Sequence, residues 1–206
     1  MSGELLSDPV IQNAIDYIHD LFRDNAGGHD AEHTMRVYRN TLLLARMEEA
    51  KAPGDEPVCD LRTAALAALL HDVDDHKLFR TDNNANARRF LEENQVPEDR
   101  IEKICAIINS VSFSRNKDKK PETIEAKIVQ DADRLDSLGA IGIARTFAYG
   151  GEHGRNLRDS VQHFYDKLLL LRGLMNTESA REMAEKRHRF LRAFLEELKE
   201  ELTGPE

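Results

Sequence analysis

The sequence predicts an all-α fold, and three observations carry that prediction. Ala and Leu dominate the apolar residues, while aromatics are only 6% with no Trp, a palette that favours helices over strands. Apolar side chains recur at helical spacing through most of the chain, and Pro, Asp and Gly punctuate it where helices would start and stop. No alternating run bounded by hairpin-turn residues appears.

Asp8-Pro9 reads as an N-cap followed by Pro at the first helical position, with Val10, Ile11, Ile15, Ile18, Leu21 and Phe22 as the apolar stripe. Gly27-Gly28 breaks the chain. A second helix is expected from about Asp30 to Glu49, carrying Val37, Leu42, Leu43, Leu44 and Met47, and KAPGDEPV after it is a loop. LRTAALAALL (61–70) is apolar nearly all round, which predicts a helix enclosed by protein. Helices follow at about 82–94, at 98–110 behind Pro97, and at 122–148, where Gly139 marks an expected break. RNKDKKPET (115–123) is a polar loop and YGGEHGRN (149–156) is Gly-rich. The expected closing helices lie near 157–172 and 177–202, the second with Met183, Phe190, Leu191, Phe194, Leu195 and Leu198 at helical spacing. With no internal repeat or low-complexity linker, residues 1–206 read as one domain: a core of about 29–136, with the helices of 157–202 packing on it.

Composition narrows the function. The chain has 206 residues, 40% hydrophobic, enough for a sizeable core. No apolar stretch approaches the roughly 20 residues that cross a bilayer, and the N-terminus lacks a secretory layout, so no membrane partner is expected. Cys59 and Cys105 are too few for a disulfide framework and are not spaced as a zinc motif, which favours a reducing cytoplasm. A net charge of −9 without a basic face argues against general nucleic-acid binding. A phosphate site in such a chain must be local, with nearby cations or a metal offsetting the repulsion.

Three segments combine His and Asp: GHDAEHTMRV (28–37), HDVDDH (71–76) and QDADRLDSLGAIG (130–142). His33, His71, Asp72 and an acid from Asp131, Asp133 or Asp136 would supply two imidazoles and two carboxylates. That donor set suits one divalent first-row ion, Mn²⁺, Fe²⁺, Co²⁺, Ni²⁺ or Zn²⁺, with Mg²⁺ less favoured because of the imidazoles. A buried helix ending at His71-Asp72 would hold two ligands rigidly and leave the other coordination positions open.

The order H…HD…D on helices resembles the HD-domain metal-dependent phosphohydrolases. The match extends through HDxxHxxRV, the apolar helix ending in HD, SFS, and the long EAKIVQDADRLDSLGAIGIARTFAYGG, so it spans nearly the whole chain and points to a compact single-domain subfamily. The resemblance implies His33 as first ligand, His71 and Asp72 as the HD pair and Asp133, in its A-D-R-L context, as last ligand. Asp131, Arg134 and Asp136 would surround and orient these ligands. Asp75, three residues beyond Asp72, stands where related enzymes place a catalytic acid, often Glu. Family members that bind two metals carry extra histidines between the HD pair and the last Asp; here that interval holds only His76, which favours a single ion, manganese first.

Arg36 lies one turn beyond His33 and can clamp a phosphate or pair with an acid. His29, His76, Ser114 and Lys119 are candidate substrate contacts, the last within the densest basic run, Arg115, Lys117, Lys119 and Lys120. The implied substrate is a nucleotide or similar small phosphate compound, with pyrophosphate release from a nucleoside triphosphate ahead of monophosphate removal. The competing readings are a non-catalytic metal- or nucleotide-binding module and, remotely, an HD-type oxygenase. The sequence leaves the oligomeric state open.

Overall fold

The computed structural model describes residues 7–23, 30–54, 57–76, 78–111 and 120–203. Those residues form helices α1 (Pro9–Leu21), α2 (Ala31–Glu49), α3 (Leu61–Leu70), α4 (Ala85–Glu93), α5 (Glu98–Val111), α6 (Ile124–Asp136), α7 (Gly139–Glu152), α8 (Leu157–Asp166) and α9 (Glu178–Thr203). A 3₁₀ segment, Leu168–Leu174, lies between α8 and α9, and no strand occurs among the described residues. None of these helices is long and apolar enough to cross a membrane. The chain divides into two compact units, Met1–Asp133 and Arg134–Glu206.

In the first unit α3 is the central post. Every residue from Thr63 to Leu70 is buried, as the all-round apolar pattern requires, and α1, α2 and α5 pack against it. Its start is fixed by Asp60, whose carboxylate accepts from the Thr63 amide at 3.0 Å and the Thr63 hydroxyl at 2.8 Å. The Asp60 amide in turn donates to Glu125 Oε1 of α6 at 2.8 Å. Just ahead of this cap, Cys59 is buried. Burial, together with the negative charges of Glu125, Glu49 and Asp60, pushes its thiol up to about 11.

In the second unit, α7 and the 3₁₀ segment pack against both α8 and α9. Phe147, Phe164 and Phe194 form an aromatic cluster there, with ring centroids 5.7–6.3 Å apart.

Three elements differ from the sequence expectation: the start of α4, the end of α7, and the helix expected near 157–172, which stops at Asp166 because Lys167 leaves helical backbone at φ −137° and the 3₁₀ segment follows. The helix expected from 82 begins at Ala85, because Asn83 and Asn84 both adopt left-handed backbone at φ 56°. The break expected at Gly139 is present: Leu138 is extended, and Gly139 opens α7 at φ +69°, a conformation that favours glycine. A Cβ at Gly139 would also lie 3.2 Å from Arg187 Cγ. Finally, α7 continues through Gly150 to Glu152; a Cβ on Gly150 would collide with Ser160 Oγ, so the glycine permits the close approach of α8.

The start of α1 yields a pH test. Asp8 caps α1 by accepting from the Val10 amide at 2.9 Å and also accepts from Arg62 Nε at 2.6 Å. The Arg62 hydrogen bond holds the Asp8 carboxyl below its ordinary range, against the opposing effect of burial. Asn caps a helix about as well as Asp, so Asp8→Asn removes mainly the charge. We expect a loss of up to about 1 kcal/mol at pH 7 in urea unfolding. Because the folded-state pKa is depressed, this difference from wild type should fade as pH falls through the unfolded value of roughly 3.9 and below.

Candidate metal centre

Each element that brings a donor to the site is pinned by a bond outside it. α2 starts at Asp30, whose Oδ1 accepts from the His33 amide at 2.6 Å, so the cap sets the backbone that carries this histidine. α3 ends at His71, its C-cap, and the His71 Nδ1 lies 2.8 Å from the Ala68 carbonyl oxygen. α6 is tied to α5 by Gln130 Nε2 donating to Ser110 O at 2.7 Å, and to α2 by Asn40 Nδ2 donating to Ala132 O at 3.4 Å. Asp133 follows directly on that tie.

The donor atoms of His33, His71 and Asp133 all lie within 4.8 Å of one another. His33 Nε2 is 3.4 Å from Asp133 Oδ1 and 3.5 Å from Asp72 Oδ2; His71 Nε2 is 3.4 Å from the same Asp72 oxygen. Asp72 therefore meets the group through both imidazoles. The two rings stand edge to face at 68°, centroids 5.3 Å apart. His33 is 2% exposed, Asp72 7% and His71 9%. Burial raises the Asp133 carboxyl, but the hydrogen bond from His33 and the positive charge that His33 and His71 carry when protonated outweigh it and leave the group below the ordinary range.

These residues fit a divalent ion on three counts. A carbonyl oxygen can only accept, so the Ala68 contact puts the His71 proton on Nδ1 and leaves the Nε2 lone pair facing the cluster. That Nε2 is buried without a hydrogen-bond partner, a costly state for a polar atom unless a ligand takes it up. Donors about 2.1 Å from a shared ion stand roughly 3.0–3.4 Å from one another, close to the three separations above. The carboxylates and the C-terminus of α3 also put negative charge where a cation would sit.

The HD domain profile matches residues 30–138 of this chain. The chain belongs to the HD domain family. It is 37% identical by sequence to YpgQ of Bacillus subtilis (strain 168) over 196 residues, 91% of each chain. The crystal structure of Bacillus subtilis YpgQ in complex with ADP superposes with a TM-score of 0.78, over 94% of this chain and 98% of that one. Of the residues paired by position, 31% are identical. An HD-superfamily hydrolase from Bacillus thuringiensis superposes with a TM-score of 0.73 at 38% identity, over 95% and 97% of the two chains.

The other residues singled out by sequence fall in different places. Asp75 follows the HD pair in the same turn; its amide donates to the Asp72 carbonyl at 3.0 Å, and its side chain is 17% exposed. His76 Nδ1 lies 3.8 Å from Asp75 Oδ1, with the imidazole largely in solvent. Arg36 is half-buried one turn after His33. Asp131 is fully buried, yet it contributes no oxygen to the His33–His71–Asp133 group. Arg134 donates to the Leu174 carbonyl, and Asp136 accepts from Arg145 Nη1 at 2.7 Å, both in the second unit. His29, Ser114 and Lys119 lie outside the described residues. Sequence reasoning passed over Gln130 and Asn40; the one cue was a glutamine inside the apolar run KIVQDADRL.

Metal content separates the acids. After loading with Mn²⁺ and desalting, elemental analysis should find about one ion per wild-type chain and a large loss after His33→Ala or Asp133→Ala, while Asp131→Ala keeps the ion. Retention after Asp133→Ala with loss after Asp131→Ala would transfer the role to Asp131, and two ions per chain would make the centre dinuclear.

Proposed function

We propose that this chain is a metal-dependent phosphohydrolase that acts on nucleotides, with nucleoside triphosphate cleavage to release pyrophosphate as its leading activity. The observation that carries the reading is the His33–His71–Asp72–Asp133 cluster, buried except for part of Asp133, with a His71 Nε2 that has no hydrogen-bond partner. Membership of the HD domain family and similarity to HD-superfamily hydrolases support hydrolysis, and the ADP complex of YpgQ supports a nucleotide as substrate.

His33, His71, Asp72 and Asp133 would hold one divalent ion, with manganese the preferred metal. Such an ion supplies Lewis acidity, lowering the pKa of water and drawing charge from a phosphoryl oxygen. The protein supplies the rest. His71 is kept in one tautomer by Ala68, so its donor atom needs no reorganisation when the site fills. Asp75, three residues beyond Asp72 in the same turn, would orient the attacking water or hand a proton to the leaving oxygen. Arg36 would balance phosphate charge from the His33 side of α2, and His76 stands at the solvent edge where substrate would enter. Burial of the cluster limits bulk water and strengthens every charge interaction inside it.

A panel of nucleoside tri-, di- and monophosphates assayed with Mn²⁺, Co²⁺, Ni²⁺ and Mg²⁺ tests this directly. Wild type should release pyrophosphate from triphosphates only with added metal, and Asp72→Ala should lower kcat/KM by more than about 100-fold. Orthophosphate from monophosphates would identify a phosphomonoesterase instead. Nucleotide binding without metal-dependent turnover would identify a binding module, and consumption of oxygen with added iron would identify an oxygenase.

A further inference from the structure

The turn that carries Asp72 and Asp75 is held by backbone bonds within the chain segment itself, including Leu78 N and Phe79 N to Asp75 O, each at 2.9 Å. Val73 N reaches Leu70 O at 3.4 Å and Asp75 N reaches Asp72 O at 3.0 Å. Between the two functional acids stands Asp74, which the proposed chemistry does not use. Its Oδ1 accepts from the Asn86 amide and its Oδ2 from the Ala87 amide, each at 2.9 Å. Asn86 answers by donating from Nδ2 to the Val73 carbonyl at 2.8 Å. Three hydrogen bonds thus lace residues 73–74 to the first turn of α4, 12 and 13 positions along the chain.

Why Asp74 is needed there follows from the amide accounting of α4. A helix leaves its first amides without intrahelical acceptors, and an N-cap side chain normally takes those of the second or third residue. The N-cap of α4 is Asn84, held at φ 56°, and its side chain makes no capping bond. The Ala85 amide goes to Asp82 O and the Arg88 amide to Asn84 O. That leaves Asn86 and Ala87, the pair that Asp74 satisfies. α4 therefore takes its cap from the HD turn, and the turn gains an anchor in return. The anchor is firm because Ala87, Phe90 and Leu91 bury α4 against α5.

We propose that Asp74 is a positioning residue: by capping α4 it holds the segment carrying Asp72 and Asp75 in place relative to His33 and His71. The proposal rests on the metal-dependent reading given above. It explains why three acids occur in HDVDD, with Asp72 meeting the imidazoles, Asp74 fastening the backbone and Asp75 left to serve the reaction.

The test compares wild type, Asp74→Ala, Asp74→Asn and Asn86→Ala for Mn²⁺ affinity, read from the free-ion paramagnetic resonance signal, and for kcat and KM on the best triphosphate. Asp74→Ala should weaken Mn²⁺ binding by about tenfold and lower kcat by at least about tenfold with little change in KM. Asp74→Asn, which keeps one acceptor oxygen, should fall between it and wild type, and Asn86→Ala should show a smaller loss of the same kind. In an Asp75→Asn background, Asp74→Ala should cost kcat less than it does alone. Mn²⁺ affinity and kcat at wild-type levels in both Asp74 variants, with only the urea midpoint lowered, would reduce Asp74 to a helix cap and overturn the proposal. A wild-type chain that binds no Mn²⁺ would instead remove the metal reading, and the proposal with it. Should Asp74→Ala not fold, Asp74→Asn and Asn86→Ala decide the matter by the same measures.

Discussion

The rest of the structure depends on one hydrogen bond, from His71 Nδ1 to the Ala68 carbonyl. It closes the last turn of a helix buried on every side and commits the imidazole to the tautomer whose free nitrogen faces two carboxylates. Without it the ring could rotate or change tautomer, and the same atoms would form an unsatisfied polar pocket at the end of an apolar post. With it, the end of α3 becomes a rigid donor.

Rigidity at the remaining donors has other sources. His33 is set by an Asp30 cap, Asp133 by the ties of α6 to α5 and α2, and Asp72 by the turn that follows His71. Placing the buried Asp72 and the partly exposed Asp133 beside two imidazoles would be unfavourable for the carboxylates alone, since a buried charge lacking a partner loses several kcal/mol of solvation. The imidazoles offset part of that loss when protonated, which is the cause that holds the Asp133 carboxyl low. A cation would offset it more completely, because it also takes up the His71 nitrogen, which lacks a hydrogen-bond partner.

Much of this was legible in the sequence, for reasons that can be named. The buried state of α3 follows from an apolar pattern with no polar face, and the starts of α1 and α2 follow from Asp8-Pro9 and Asp30. The gathering of His33, His71, Asp72 and Asp133 could be anticipated only through the family pattern, because spacing along separate helices does not say which ends meet. Spacing alone left three acids in the 130–136 segment as equals; the fold gathers Asp133 with His33 and His71 and pairs Asp136 with Arg145, an arrangement of separate helices that spacing does not encode. The division of labour within HDVDD was not legible at all. Asp74 looks like its neighbours until the left-handed Asn84 deprives α4 of a local cap, and single-residue backbone geometry of that kind leaves little trace in composition or periodicity.

The Cys59 thiol, raised to about 11 beside the α3 cap, has a practical bearing on handling the protein. At neutral pH only about one such thiol in ten thousand is ionised, and the thiolate is the form that alkylating agents, peroxides and disulfides attack. Cys105 is likewise buried and shifted upward by burial. Both sulfurs should therefore react slowly in air, so that purification buffers can omit dithiothreitol, whose thiolates would compete for the softer candidate ions Zn²⁺, Co²⁺ and Ni²⁺.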